Sequence, residues 1–276
     1  MRYATYQSDE GPRLGLVRGD AIHPLRGVRV LGPETTSEVL FAASADTQLR
    51  PVAMSQAKLL PVSPNPAKII CVGLNYRSHI GETGRDTPAY PVLFPKFSSS
   101  LIGHGAPVEL PPESTQVDYE AELAVVIGRP ARRVGRAQAL DHVLGYTIAN
   151  DVTMRDYQYK THQWMQGKAW DRSTPLGPTL VTPDEVDASA LDISLKLNGT
   201  ELQRSSTSVM IFDVPRLIEV ISEFTELLPG DVILTGTPGG VGFRRDPQVF
   251  LSAGDDVEVE ISGIGTLRNP VTPEPR

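Results

Sequence analysis

The stretch VDYEAELAVVIG, residues 117–128, sets three carboxylates, Asp118, Glu120 and Glu122, at the start of an apolar run that Gly128 ends. Residues two apart on a strand point to one face, so these three would share it. Like charges that close repel, and ionised carboxylates resist burial. Full exposure at a sheet edge relieves the conflict; so does a bound cation, which requires a further ligand. GYTIANDVTMRDYQ, residues 145–158, offers one. Thr147–Ala149 reads as strand, Asn150-Asp151 breaks it, and Asp151 is well placed at a strand end to meet the other carboxylates. Three carboxylates suit a hard ion such as Mg²⁺ or Mn²⁺. With one cysteine and five histidines in the chain, zinc fits less well.

Outward from this stretch the signals are mostly strand and turn. LGLVRGDAIHPL (14–25) predicts a hairpin about Gly19-Asp20, and DISLKLNGTELQ (192–203) predicts another about Asn198-Gly199. TTSEVLFAA (35–43) predicts a short helix capped by Thr or Ser. VPRLIEVISEFTEL (214–227) predicts the clearest helix, with Pro215 in its first turn and Leu217, Ile218, Ile221 and Phe224 on one face. RRVGRAQALDHVLG (132–145) suggests a weaker helix ending at Gly145. Pro61, Pro64 and Pro66 make LLPVSPNPAKII an extended linker. The boundary is therefore drawn at residue 66, between a small segment 1–66 and a main domain 67–276. The class is mostly β with some α.

Composition narrows the function. The 276 residues hold 33 acidic and 26 basic side chains, a formal charge of −7. That argues against a general nucleic-acid or anionic-membrane surface. Nothing approaches the roughly 20 apolar residues of a membrane span, and the first residues lack the apolar core of a signal peptide. A cytoplasmic protein is expected. Cys71, the sole cysteine, lies in the apolar KIICVG and reads as a small buried hydrophobe.

Six motifs in order, VGLNYRSHIGE, LFPKFSSSLIG, VDYEAELAVVIG, GYTIANDVTMRDYQ, GKAWDRSTPLGP and ILTGTPGGVG, span most of residues 68–242. In order and spacing they resemble the fumarylacetoacetate hydrolase superfamily. The resemblance implies a mixed β-sandwich roll with a small N-terminal α+β domain, and a homodimer. It implies Mg²⁺ or Mn²⁺ held by Glu120, Glu122 and Asp151. It also implies His79 with Glu82 as a lid pair that activates water, and Lys168 as an active-site lysine. Taken alone, His-x-x-Glu reads as a surface pair and a lone lysine as solvated. Arg155 and Gln158 fall where the family contacts substrate or organises the site, although Arg155 could instead pair with a carboxylate. Thr237 could donate to a substrate carboxylate, although its Gly-rich loop could be only a tight turn; it lacks the ending of a phosphate loop.

Substrates of such enzymes are 2-oxo or 1,3-dicarbonyl acids, and their reactions pass through an enolate held by the metal. Hydrolysis of a carbon–carbon bond in an acylpyruvate or fumarylacetoacetate-like acid is favoured here, because His79 and Glu82 supply a water base. Oxaloacetate-type decarboxylation and dienoate isomerisation are the alternatives; a catalytically inactive binding homologue is a reading of another class. Two departures from the family lie near the pocket. The chain is short between Gln158 and Trp164, and Ser173 stands where relatives often carry an aromatic residue. Both leave metal binding credible and put substrate identity in doubt.

Overall fold

The computed structural model describes residues 1–78, 82 and 86–275. In chain order its strands are β1 (Arg2–Ser8), β2 (Gly11–Arg18), β3 (Ala21–Pro24), β4 (Val52–Ala53), β5 (Ile69–Gly73) and β6 (Val92–Lys96). Then follow β7 (Leu101–Ile102), β8 (Val108–Leu110), β9 (Val117–Asp118), β10 (Ala121–Ile127), β11 (Val143–Asn150) and β12 (Thr153–Met154). The last six are β13 (Thr174–Val181), β14 (Asp192–Leu197), β15 (Thr200–Ser206), β16 (Val232–Leu234), β17 (Asp256–Ile261) and β18 (Gly265–Pro273). The chain is mostly β, as its sequence predicts.

One large mixed sheet runs β4-β3-β2-β1-β13-β11-β10-β16-β5-β6, and β7 adds to β13 in parallel. Only the short turn Ser98–Ser100 separates β6 from β7. The end of the strand order is thus tied back to β13, and the sheet between them curls into a roll. A second sheet, β15-β14-β17-β18-β8, lies against one face.

β10 shows why the opening stretch reads as a continuous apolar run. Leu123, Val125 and Ile127 bury against Ile193, Leu195, Val257, Val259 and Leu267 of the second sheet. Ala124 and Val126 bury on the other face with Cys71, Leu144, Leu176, Leu180, Val232 and Leu234. A strand covered on both faces needs no polar alternation. Each such side chain contributes about 1.5–3 kcal/mol on full burial.

The N-terminal strands join the same sheet. β1 pairs β13 with Tyr3 opposite Leu180, and Leu25, Val28, Leu31 and Leu40 belong to the core cluster that holds Ala124 and Val126. Leu40 comes from the helix Ser37–Ala42, whose Thr36 side chain accepts from Val39 N. Both hairpins form where the turn residues place them. Asn198 and Gly199 take φ of +51° and +80°, the positive pair a two-residue hairpin needs.

Two elements differ from the sequence reading. Residues 136–142 form a 3-10 turn, and Gly145 lies inside β11 rather than at a helix end. An added Cβ at Gly145 would meet the Val181 carbonyl oxygen, so the glycine serves the close β11–β13 approach and not a helix stop. The helix Val214–Phe224 is capped by the Asp213 side chain and has Pro215 in its first turn. Leu217, Ile218, Val220 and Ile221 are buried, but Phe224 is 61% exposed. The buried stripe ends one turn before the helix does. No helix among the described residues is long and apolar enough to cross a membrane.

Candidate metal centre and active-site cleft

The carboxylate stretch is two strands and not one. β9 ends at Asp118, β10 begins at Ala121, and the break sends its acids to different tasks. Asp118 accepts from the backbone N–H of Tyr119 (2.8 Å), Gly242 (2.8 Å) and Phe243 (3.0 Å), and from Arg155 Nε at 2.8 Å. It is a buried clamp on the 242–243 turn. Gly242 is required there, because an added Cβ would overlap the Val249 carbonyl oxygen and press on Asp118 Oδ1. Gly242→Ala should destabilise the fold by about 3 kcal/mol, the upper range for overpacking. Urea denaturation checks this; an unchanged midpoint would contradict the clamp.

Glu120, Glu122 and Asp151 converge. One carboxylate oxygen from each lies within 4.8 Å of the others, and all three residues are buried. Asn150 Oδ1 accepts from Glu120 N (2.9 Å), and Glu120 O accepts from Asp151 N (2.9 Å). The end of β11 is thereby pinned to the start of β10. Burial thus removes the exposed-edge alternative.

Among the described residues, three cations answer these acids. Lys168 Nζ lies 2.9 Å from Glu120 Oε2 and 2.8 Å from Asp151 Oδ2. Lys96 Nζ lies 2.7 Å from Asp151 Oδ1. Arg155 Nη2 stands 2.7 Å from Glu120 Oε1, while Nη1 donates to Gln158 Oε1 at 3.0 Å. Arg155 therefore makes the carboxylate pairs that its sequence left open, with Asp118 and Glu120. Burial alone would pull Lys168 down, but Asp151 and Glu120 outweigh it and hold its pKa above the ordinary lysine value.

Glu122 has no ion pair among the described residues and accepts from Gly236 N at 2.7 Å. Burial first, then the charges of Asp151 and Glu120, push its pKa well above the usual carboxylate range. Among the described residues, four buried carboxylates, Asp118 included, thus face three buried cations. The carboxylates outnumber the cations and the donors are oxygen, which fits a hard divalent ion. Because burial and its neighbours shift Glu122 toward its protonated form, loading a cation should expel the proton that it holds. Apparent Mn²⁺ affinity should rise with pH, by up to about tenfold per unit for one proton. Calorimetric titration in buffers of different ionisation heat measures the release; heats independent of buffer would refute it.

Lys96 was not singled out from the sequence. Its partner Asp151 is 55 residues away, and only the curl of the sheet from β6 to β13 joins them. Gln203 was also missed. Its Oε1 accepts from Ala121 N, and its Nε2 donates to Thr237 Oγ1 and Pro238 O, each at 2.9 Å. It ties the carboxylate strand to the Gly-rich loop. No local pattern marks either residue.

A cleft opens beside these groups. Its walls include Glu120, Arg155, Gln158, Lys168 and Thr237, with Phe94, Tyr159, Trp164, Phe243 and Arg244. Two aromatic pairs shape it. Phe94 meets Trp164 edge-on at 5.7 Å, and Tyr159 stacks on Phe243 at 5.4 Å. Gly73 leaves room for the Trp164 ring, and Gly167 lets the helix Met165–Lys168 approach the Gln158 backbone. Thr237 Oγ1 accepts from Gln203, so its hydroxyl proton is left to donate. Trp170 instead packs edge-on against Tyr157, 5.0 Å away. Cys71 is buried, and burial pushes its thiol well up, as suits a core residue.

His79, the expected base, lies outside the described residues. Its expected partner Glu82 accepts from Gly240 N at 2.7 Å, and Ser78 Oγ accepts from Gly239 N at 3.1 Å. Glu82 is therefore docked on the Gly-rich loop that carries Thr237.

Comparison with known proteins identifies the family of the chain. The family described as fumarylacetoacetate (FAA) hydrolase C-terminal matches residues 68–272, and the one described as Rv2993c-like, N-terminal matches residues 1–61. The mitochondrial oxaloacetate tautomerase fahd2 of Xenopus laevis is 41% identical, over 98% of this chain and 90% of its own. The 2,4-didehydro-3-deoxy-L-rhamnonate hydrolase of Sphingomonas sp. (strain SKA58) is 42% identical, over 99% of this chain and 96% of its own. The crystal structure of 5-carboxymethyl-2-hydroxymuconate delta-isomerase from Mycobacterium smegmatis superposes with a TM-score of 0.85 at 37% identity, covering 99% of this chain and all of that one. The chain belongs to the fumarylacetoacetate hydrolase family.

Proposed function

We propose that this protein hydrolyses a carbon–carbon bond in a 1,3-dicarbonyl 2-oxo acid, an acylpyruvate or fumarylacetoacetate-like acid, with Mg²⁺ or Mn²⁺. The observation that carries the reading is the convergence of Glu120, Glu122 and Asp151 beside Lys168, at a cleft that also presents Arg155, Gln158 and Thr237. The three carboxylates would hold the cation, which supplies Lewis acidity toward substrate oxygens.

The chain's own groups account for the rest. Lys168 donates a proton or a charge-assisted hydrogen bond to an oxygen that becomes negative as the bond breaks, where such stabilisation counts most. Arg155 is held by Asp118, Glu120 and Gln158, so its role is to fix the Gln158 amide. That amide keeps its N–H donors for a substrate carboxylate, as does the Thr237 hydroxyl. His79, oriented by Glu82, would take the proton from water. The aromatic walls keep bulk water from the reacting carbon.

A second reading has its own support. The Xenopus relative is named an oxaloacetate tautomerase, and moving a proton at the carbon beside the keto group needs the same residues without the water. One assay separates the two. Protein stripped by chelator is reloaded with Mg²⁺ or Mn²⁺ and offered acetylpyruvate and oxaloacetate separately. Metal-dependent acetate and pyruvate from acetylpyruvate establish hydrolysis. Faster loss of the oxaloacetate enol without acetylpyruvate cleavage establishes tautomerisation, and carbon dioxide above the free-metal background establishes decarboxylation. Turnover of neither acid rejects the hydrolase reading for short acylpyruvates.

A further inference from the structure

Among the described residues the cleft presents three cationic side chains: Arg155, Lys168 and Arg244. Two are already neutralised. Arg155 is paired with Asp118 and Glu120, and Lys168 with Glu120 and Asp151. Arg244 is different. Among the described residues it makes no ion pair and no side-chain hydrogen bond; its guanidinium carbon lies 5.1 Å from the centre of the neighbouring Phe243 ring. The chain is acidic overall, and Asp246 stands only two residues on, yet no carboxylate of the described residues has been drawn to it.

Nor is Arg244 on a wandering loop. It ends the 3-10 turn Gly242–Arg244. The first two N–H groups of that turn are held by Asp118, the same carboxylate that holds Arg155. Phe243 is stacked on Tyr159. The backbone below Arg244 is therefore anchored to the catalytic cluster, and its side chain is exposed at the cleft. A guanidinium presents a planar fork of donors matched to a carboxylate. A guanidinium held beside a ring face keeps N–H donors for a ligand.

We propose that Arg244 forms a second anion subsite at the mouth of the cleft, which selects 2-oxo acids carrying a further carboxylate on the end remote from the keto acid. The proposal rests on the reading of the cleft as a 2-oxo-acid site. The inner donors, Gln158, Thr237 and Lys168, serve the keto-acid end. The remote carboxylate meets Arg244, the one cation among the described cleft residues whose charge is not spent inside the protein. Phe243 and Tyr159 flank the carbon chain between.

Two stable probes of equal chain length isolate the term: 2-oxoglutarate, with a remote carboxylate, and 2-oxopentanoate, with a methyl group in its place. Dissociation constants are measured by calorimetry on the Mg²⁺-loaded protein and on Arg244→Ala and Arg244→Lys. The wild type should prefer 2-oxoglutarate by about tenfold, one charge-assisted contact. Arg244→Ala should reduce the preference to near unity, and Arg244→Lys should retain part of it. Added salt should weaken the preference, since the contact is exposed. An equal preference in wild type and Arg244→Ala, or none in wild type, overturns the subsite while leaving the 2-oxo-acid reading intact. Failure of both acids to bind the wild type overturns both.

Discussion

Lys168→Met should unfold at markedly lower denaturant than the wild type when both are free of metal, and divalent metal should restore much of the difference. The lysine ammonium contacts Glu120 and Asp151 at 2.9 and 2.8 Å, all three groups being buried. Removing one partner of a buried pair leaves charge that water cannot reach, at a cost of about 3–5 kcal/mol. Lys96 remains on Asp151 and Arg155 on Glu120, so the lower end is expected, about 3 kcal/mol. A divalent ion held by the same carboxylates would replace the lost charge, so Mn²⁺ should stabilise the variant more than the wild type. The pH signature follows from the sign of the shift. The folded pKa of Lys168 lies above its unfolded value. Its contribution is therefore complete below about pH 10, the unfolded value, and is lost only as pH rises through the folded one. Turnover should fall about 10²–10³-fold if the ammonium serves the developing charge. Urea melts with and without Mn²⁺ are the measurement. A destabilisation under about 1 kcal/mol, the range of an exposed pair, would show that the pair is not effectively buried.

Glu122→Gln should do the opposite to stability and as much to function. Glu122 bears the cost of burial beside two other carboxylates, and its pKa is pushed up accordingly. A carboxylate with a raised folded pKa costs nothing below its unfolded value near 4.3 and destabilises increasingly as pH climbs toward the folded one. The amide carries no such cost and can still accept from Gly236 N. The metal-free variant should thus match or exceed wild-type stability, with the gain growing from acidic to alkaline pH. Metal affinity should fall at least about 100-fold, the top of the range for loss of an outer partner, because here a ligand itself is removed. Thermal melts across pH and Mn²⁺ titration read the two effects. A variant less stable than wild type at alkaline pH and still tight for Mn²⁺ would refute the placement of Glu122 as a strained ligand.

The two variants change the same cluster and should move stability in opposite directions, because among the described residues its carboxylates outnumber its cations. Four carboxylates and three cations are packed at the end of β10 and β11. A bound divalent cation would complete such a cluster.

The sequence by itself determined the strands, the hairpin turns and the class, because those are short-range matters. Asn198-Gly199 makes its turn from its own φ preferences, and Thr36 and Pro215 start helices with neighbours three residues away. It also marked Glu120, Glu122 and Asp151, because acids at the mouth of a buried strand are conspicuous against burial energetics. Periodicity placed Asp118 with them, yet the break at residues 119–120 turned it into a clamp for a turn more than 120 residues later. Lys96, Gln203 and Arg244 carry no local mark. Lys96 reaches Asp151 only because β7 returns to β13 and curls the sheet; Gln203 bridges a strand and a loop that the chain itself keeps apart. Arg244 is notable only because, among the described residues, tertiary contacts neutralise the other cations of the cleft and leave its charge unmatched. Propensity and patterning act over a few residues, whereas the balance of buried charge is summed over everything that the fold brings within a few ångströms.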